Sequence, residues 1–358
     1  MKSFENKSVA VTGCCGTVGG ELVRQLLEDY KVGELVGLDN NETEMFFLQQ
    51  RHKNYPNANF FLSSIRDRER LIELFKGVDI VFHAAAYKHV VLCEHSPFDA
   101  VQTNIIGVKN VIEAAKECSV ERVIFTSSDK AVNPTNVMGT TKLMGERLMT
   151  AANCARKGEG PIYSSTRFGN VLGSRGSVIP IFREQIRKGG PVTLTDRNMT
   201  RFIMSIKEAT NLVIDSSSYA WGGEIFVTKM PVIRIEDLAQ VMIMELAPYY
   251  GHKPDDIEIN TIGTKPGEKL YEELMSDEET GRTQELEKYF AVLPSYRSLY
   301  REINYEYPGV VSNKVDNPYH SANERSLSQV ELNDFLLHNE LLAESMPQQH
   351  PAERFWDK

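Results

Sequence analysis

The chain has 358 residues, more than one hydrophobic core usually holds, so a large domain, a smaller lobe and a tail are expected. Hydrophobic residues make up 41% and charged residues 25%, the balance of an ordinary globular protein. A net charge of -9 with a pI near 5.5 argues against broad affinity for nucleic acid or anionic membrane, so an anionic ligand would need a local cluster of Arg and Lys.

Five cysteines, Cys14, Cys15, Cys93, Cys118 and Cys154, show neither metal-ligand spacing nor a disulfide framework, which reads as reduced thiols in a cytoplasm and no metal. The start, Met1 to Lys7, is short and charged, unlike a signal peptide, and no run of about 18 apolar residues offers a membrane span.

In chain order, Ser8–Val11, Glu34–Leu38, Asn59–Leu62, Val78–His83 and Arg122–Thr126 read as strands. Between them Gly20–Glu28, Glu42–Arg51, Asp67–Phe75 and Thr103–Glu117 carry apolar residues at helical spacing. This alternation predicts an α/β fold of Rossmann type, a doubly wound parallel sheet with ligands at the carboxyl ends of its strands. A long helix over Val137–Arg156 and a sixth strand at Tyr163–Thr166 follow. After Arg167 frequent Gly and Pro mark a smaller α/β substrate-binding lobe. The expected division is 1–168 for the dinucleotide domain, with segments returning at about 200–230. A discontinuous lobe takes 169–297, and a C-terminal extension 298–358 holds one helix near Ser328–Leu342.

The link between the first strand and first helix reads Val11-Thr-Gly-Cys-Cys-Gly-Thr-Val-Gly19. Gly13, Gly16 and Gly19 suit a tight turn, close approach of backbone to a pyrophosphate, and helix–strand packing. The helix start at Thr17 and Val18 offers N–H groups and a positive dipole end to phosphates. Twenty residues after Gly19, Asp39 ends the second strand, where a carboxylate accepts from ribose hydroxyls. No Arg follows directly to hold a 2′-phosphate, so NAD is favoured over NADP. The bland alternative for Asp39 is a solvated turn residue, and for Cys14 and Cys15 small fillers of the loop.

Further motifs are His83-Ala-Ala-Ala-Tyr-Lys-His89, Thr103-Asn-Ile-Ile-Gly107, Ser127-Ser-Asp-Lys130 with Met138 beyond it, and Arg167-Phe-Gly-Asn-Val-Leu-Gly-Ser-Arg-Gly176. Thr200-Arg-Phe-Ile-Met204 and Gly263–Leu270 complete the set. Together with the glycine loop they resemble the extended short-chain dehydrogenase/reductases, and within them the polysaccharide-biosynthesis dehydratases that act on UDP-N-acetylglucosamine. The resemblance implies a redox-neutral reaction: oxidation at C4 of the hexose, loss of water across C5 and C6, and reduction at C6. It implies proton removal by Lys130, leaving-group protonation by Asp129, and a homo-oligomer built on the Thr103–Glu117 and Val137–Ala155 helices.

From the residues themselves, Ser128, Asp129 and Lys130 stand past the carboxyl end of the fifth strand, with an acid and a potential base side by side. Lys142 follows Met138 by four residues on one helical face. Most short-chain dehydrogenases have Tyr at the Met138 position; methionine has no proton to exchange. That favours a dehydratase over an epimerase on the same fold and leaves open whether Asp129 or water deprotonates the C4 hydroxyl. Ser64, Ile65 and Ala84 to Ala86 are expected around the cofactor, although relatives carry Asp where Ser64 stands. Asn104 reads as a structural amide fixing the loop beside the site. Lys88, His89, Asn170, Arg175, Arg201 and Glu268 are candidates for the nucleotide sugar, the arginines because a pyrophosphate favours bidentate guanidinium. The rival readings are an epimerase and a dinucleotide-binding regulator without turnover.

Overall fold

The structure is a computed structural model that describes residues 4–156, 160–174, 176–263, 267–296 and 302–342. It falls into two compact units. The first comprises 1–168, 209–229 and 274–318; the second comprises 169–208, 230–273 and 319–358.

The first unit opens with five βα repeats and a sixth strand. Strands β1 (Ser8–Thr12), β2 (Glu34–Asp39), β3 (Ala58–Leu62), β4 (Ile80–His83), β5 (Arg122–Thr126) and β6 (Ile162–Arg167) alternate with helices. These are α1 (Thr17–Glu28), α2 (Glu42–Arg51), α3 (Arg68–Phe75), α4 (Val90–His95), α5 (Pro97–Val101), α6 (Gly107–Glu117) and α7 (Val137–Cys154). The parallel order is β3-β2-β1-β4-β5-β6, and the strand Ile225–Thr228 continues it beside β6. Three antiparallel strands, Tyr289–Val292, Thr283–Leu286 and Val310–Ser312, extend that side to ten strands. This is the doubly wound sheet that the strand–helix alternation implies.

Alternate residues of the central strands feed opposite cores. Val9, Val11, Phe82 and Ile124 join α1 and residues 212–214 on one face; Ala10, Val81, Val123 and Phe125 join α3 and α6 on the other. Each large side chain so enclosed contributes about 1.5–3 kcal/mol. Covering both faces is why these strands read as nearly continuous apolar runs.

In the second unit, Asn170–Val171 and Val232–Arg234 flank the strand Thr200–Met204, and a cluster centred on Phe182, Ile186, Leu238, Met242, Leu332 and Leu336 forms the core. Two features differ from the sequence reading. The segment Thr200–Ser217 divides, because its strand pairs in register with Val232–Arg234 and only its helix from Ala209 onward belongs to the first unit. The segment expected as an irregular extension also divides: Tyr307 is buried in the first unit's core, and the helix Gln329–His338 packs in the second's. The tail helix itself stands within the expected Ser328–Leu342; where it packs, and the pairing of Thr200–Met204, depend on partners distant in the sequence.

Candidate functional site

At the carboxyl end of β1, Gly13 adopts φ +72°. A Cβ there would lie 2.6 Å from the Ala85 nitrogen, and one on Gly19 would lie 2.0 Å from the Gly13 carbonyl oxygen. Both glycines are therefore demanded by close backbone approach, whereas a Cβ on Gly16 meets only the Gly13 oxygen at 3.2 Å. Gly16 stands at the N-cap of α1, where it has no side chain to cap the helix. Asp39 is tied to the same loop: its Oδ2 accepts from the Cys15 N–H at 3.0 Å and its Oδ1 from the Asn41 N–H at 3.0 Å. The cradle a side chain would fill, the glycine at the helix N-cap and the adjoining carboxylate fit a dinucleotide.

Behind this loop, His83 is fully buried and bonds Thr12 through Nδ1 at 2.6 Å. Burial, aided by nearby Lys142, holds its pKa down to about 3, so the ring stays neutral. The Ala84 N–H donates to the Thr12 carbonyl at 3.1 Å, which draws the Ala84–Ala85–Ala86 segment along the end of β1. Ser64 accepts the Arg66 N–H at 3.2 Å, and Ile65 is buried against Gly107 at the start of α6.

The fifth strand delivers the acid–base group. Its end is fixed where Ser127 N–H donates to the Thr166 carbonyl at 2.6 Å and Asp129 N–H to that of Phe168 at 3.1 Å. Asp129, wholly buried, receives three bonds on Oδ1: from the Ser128 hydroxyl at 2.7 Å, the Lys130 N–H at 2.8 Å and Lys130 Nζ at 3.0 Å. Its Oδ2 is buried without a partner among the described residues. Acid, base and hydroxyl thus form one connected turn over Asp129–Ala131.

Helix α7 packs on that turn. Met138 is buried with Cys93 and Ala100, and Lys142, four residues on, donates from Nζ to the Thr126 carbonyl at 2.9 Å. Burial pulls Lys142 down to about 8, while Glu146 and Cys93 oppose the shift. Two residues of this assembly went unnoticed in the sequence. A Cβ on Gly139 would stand 2.1 Å from the Lys130 carbonyl oxygen, so glycine is what lets the first turn of α7 touch the acid–base turn. Arg167, buried at the end of β6, grips Glu146 with two bonds of 2.7–2.8 Å and Glu279 with two of 2.8–2.9 Å. A helical glycine and an Arg with partners 21 and 112 residues away leave no local signal.

Asn104 sits in a widened π turn, Gln102–Ile106, before α6. Its amide accepts the Tyr87 N–H at 2.8 Å and donates to the Tyr87 carbonyl at 2.9 Å and to Thr141 at 3.0 Å, clamping the Ala86–His89 loop to α7. Lys88 and His89 are exposed on that loop.

The other candidates belong to the second unit. Arg201 is buried and donates to the carbonyls of Thr200 at 2.7 Å, Lys269 at 2.8 Å and Leu270 at 3.2 Å. Its nitrogens lie 3.9 Å from Glu268 and 3.6 Å from Glu272. It is a brace for the 268–272 loop, and backbone acceptors some 70 residues away leave no local signal beside Arg201. Glu268 also takes the Thr195 hydroxyl at 3.4 Å. Asn170 lies on the strand beside Thr200–Met204, opposite Ile203. Arg175 lies outside the described residues.

The parallel sheet, glycine cradle and Ser128–Lys142 grouping define an enzyme of the extended short-chain dehydrogenase/reductase class, of the dehydratase and epimerase kind. The chain belongs to the polysaccharide biosynthesis protein family, whose model matches residues 9–294. It is 52% identical over 291 residues, 81% of this chain and 87% of the relative, to a protein of Methanocaldococcus jannaschii named as an uncharacterized membrane protein. It is 36% identical to a Campylobacter jejuni UDP-N-acetylglucosamine 4,6-dehydratase (inverting), over 94% of this chain and 99% of the relative. A Rickettsia canadensis UDP-glucose 4-epimerase is 35% identical over 93% and 96%. Among solved structures, Pen from Bacillus thuringiensis superposes with a TM-score of 0.86 at 39% identity, covering 94% of this chain and 99% of that one. A dTDP-glucose 4,6-dehydratase of Streptomyces venezuelae solved with NAD, at 21% identity and a TM-score of 0.65 over 74% and 86%, shares the fold. Among the described residues no helix is long and apolar enough to cross a membrane.

Proposed function

We propose that the protein is a nucleotide-sugar 4,6-dehydratase, a hydro-lyase that converts UDP-N-acetylglucosamine to a UDP-4-keto-6-deoxy-N-acetylhexosamine with NAD held throughout. The observation that carries this reading is the bonded Ser128–Asp129–Lys130 turn beside a helix whose tyrosine position is the buried Met138. Acid–base chemistry then rests on Asp129 and Lys130. The name and coverage of the Campylobacter relative support the substrate.

In this reading Gly13, Gly16, Thr17, Val18 and Gly19 hold the pyrophosphate, Asp39 the adenosine ribose, Ser64, Ile65 and Ala84 to Ala86 the adenine side, and Lys142 the nicotinamide ribose. A 2′-phosphate would meet the Asp39 carboxylate, which favours NAD over NADP. A bound nicotinamide supplies the oxidation at C4 and the reduction at C6. The C4 hydroxyl proton passes to Asp129 or a bound water. Lys130 takes the C5 proton, which the 4-keto group acidifies, and Asp129 delivers a proton to the departing C6 hydroxyl. C5 regains a proton exchangeable with solvent as C6 is reduced. Ser128 orients the C4 oxygen. Lys88, His89, Asn170, Arg175 and Glu268 remain candidates for sugar and nucleotide contacts, whereas Arg201 acts through the loop it braces.

Incubation with UDP-N-acetylglucosamine in deuterated water, followed by NMR, tests this. The expected product is a 4-keto-6-deoxy sugar carrying solvent deuterium at C5. The Rickettsia relative motivates the epimerase reading, which predicts inversion at C4, an intact C6 hydroxyl and no solvent label. An unchanged sugar would leave a dinucleotide-binding regulator.

A further inference from the structure

We propose that Cys14, Cys15 and Asp39 form a site for a soft divalent cation of the zinc–cadmium type, and that this cation and the dinucleotide exclude one another. One donor atom from each residue, two thiol sulfurs and a carboxylate oxygen, lies within 4.8 Å of the others. On a tetrahedral ion with metal–sulfur bonds of about 2.3 Å, two sulfurs stand roughly 3.8 Å apart, so the donors need to close by only about 1 Å. Both cysteines are free thiols.

The backbone holds the three donors in place. Gly13 and Cys14 N–H groups both donate to the Leu38 carbonyl, at 2.7 and 3.2 Å, and the Cys15 N–H donates to Asp39 at 3.0 Å. The loop is thereby laced to the end of β2. The Cys14 sulfur lies over Gly37, where a Cβ would approach it to 3.2 Å. Residues 37 and 39 share one face of a strand, so the glycine leaves room for sulfur on the side that carries the Asp39 carboxylate. Adjacent cysteines and an Asp 24 residues away match no metal motif, which is why the spacing concealed the group.

Ligand chemistry sets the selectivity. Two sulfurs and one oxygen suit zinc or cadmium and not magnesium or calcium, which require oxygen. Binding converts two thiols to thiolates, releases two protons to solvent, and leaves the group with a net charge of -1. Exclusion follows from Asp39, whose oxygens each accept one backbone N–H and have the remaining lone pairs to offer either ribose hydroxyls or the cation. Drawing the thiols together also reshapes the loop at the start of α1. This second half rests on the dinucleotide reading of the loop.

Titrating reduced, dinucleotide-free protein with cadmium chloride and following the ultraviolet sulfur-to-cadmium charge-transfer band tests the site. The expected result is a band saturating at one cadmium per chain. Cys14→Ser and Cys15→Ser should each weaken it by at least about 10-fold, the loss that even an outer-shell change causes. Cys118→Ser should leave it intact and magnesium should produce nothing. Asp39→Asn, which keeps both thiols, should weaken cadmium binding in the same direction, so the test survives if a cysteine variant folds poorly. No band, or a band undiminished in both cysteine variants, overturns the site. Saturating NAD should raise the apparent cadmium dissociation constant in proportion to its concentration. A calorimetrically bound NAD that leaves cadmium affinity unchanged overturns the exclusion. If NAD does not bind at all, the dinucleotide reading and the exclusion fall together, while the band reports on the cation site by itself.

Discussion

Burial strips water from the Lys142 ammonium and leaves Thr126 as its hydrogen-bond acceptor, drawing its pKa from 10.5 to about 8. The folded state then holds fewer protons on this group than the unfolded state between about pH 8 and 10.5, so its contribution makes stability rise with pH across that window. Below pH 8 both states are protonated and the penalty is constant. Three groups face the ammonium: neutral His83 from β4, Cys93 from α4, and Glu146 one turn along α7. Removing the charge in Glu146→Gln should lower the Lys142 pKa further, by about one unit. Glu279→Gln breaks the other half of the same Arg167 network and should leave Lys142 unmoved. Competitive acetylation across pH with mass-spectrometric readout distinguishes them; equal shifts in both variants would reject the electrostatic role. At the acid–base turn, Lys130→Ala should lower turnover on the order of 10²–10⁴-fold, the usual cost of losing a general base. Met138→Leu should leave turnover near the parent rate, because the side chain fills space between Cys93 and Ala100. Met138→Ala is the poorer probe, since emptying a buried methionine site costs about 2–5 kcal/mol of stability. A steady-state assay in which Met138→Leu falls as far as Lys130→Ala would sink this division of labour.

At the level of elements, two glycines at helix starts separate cofactor binding from chemistry. Gly19→Ala puts a methyl group 2.0 Å from the Gly13 oxygen and should abolish dinucleotide binding. Gly139→Ala puts one 2.1 Å from the Lys130 oxygen and should depress turnover while NAD affinity changes little. Turnover should fall in both variants, and calorimetry should separate them, with NAD lost in Gly19→Ala and kept in Gly139→Ala; loss of NAD affinity in both would mean that α1 and α7 do not act separately. The first of these helix starts was legible and the second was not. Gly13, Gly16 and Gly19 stand between a strand and a helix, a context that gives glycine a meaning, whereas Gly139 inside a helical pattern reads only as a propensity cost. The parallel strands announced themselves by β-rich runs with helices between them. The antiparallel strands Thr283–Leu286 and Tyr289–Val292 did not, because each is short and Thr283-Gln-Glu-Leu286 has a single apolar residue. Arg201 was legible as a cation but not as a brace, since its acceptors Lys269 and Leu270 come together with it only in the fold.

Across the whole molecule, large exposed side chains gather on the helices flanking the acid–base turn. Val91 and Leu92 lie on α4, Phe98 on α5, Ile106 at the head of α6 and Met144 on α7; Phe98 is 85% exposed. An apolar face of this kind on packed helices suits a two-fold contact between copies of the chain. Light scattering at micromolar concentration should give a dimer or larger assembly for the parent and a monomer for Leu92→Glu with Phe98→Glu. A monomeric parent would reject the assembly.

The position of the strand Ile225–Thr228 in the sheet has a consequence for how the protein is made. This strand pairs with β6, whose last residue is Arg167, and is itself covered by Tyr289–Val292. A ribosome adding ~5–20 residues per second needs on the order of 3–12 s to travel from the end of β6 to the end of the strand Ile225–Thr228 that covers it. Throughout that interval the nascent sheet carries an open edge, the kind of surface that captures strands from other chains. The edge is the polar run Ile162-Tyr-Ser-Ser-Thr-Arg167, poor in the apolar residues that drive such capture. Ser164, Ser165 and Thr166 thus make that unfinished edge a poor template for a neighbouring chain on a polysome.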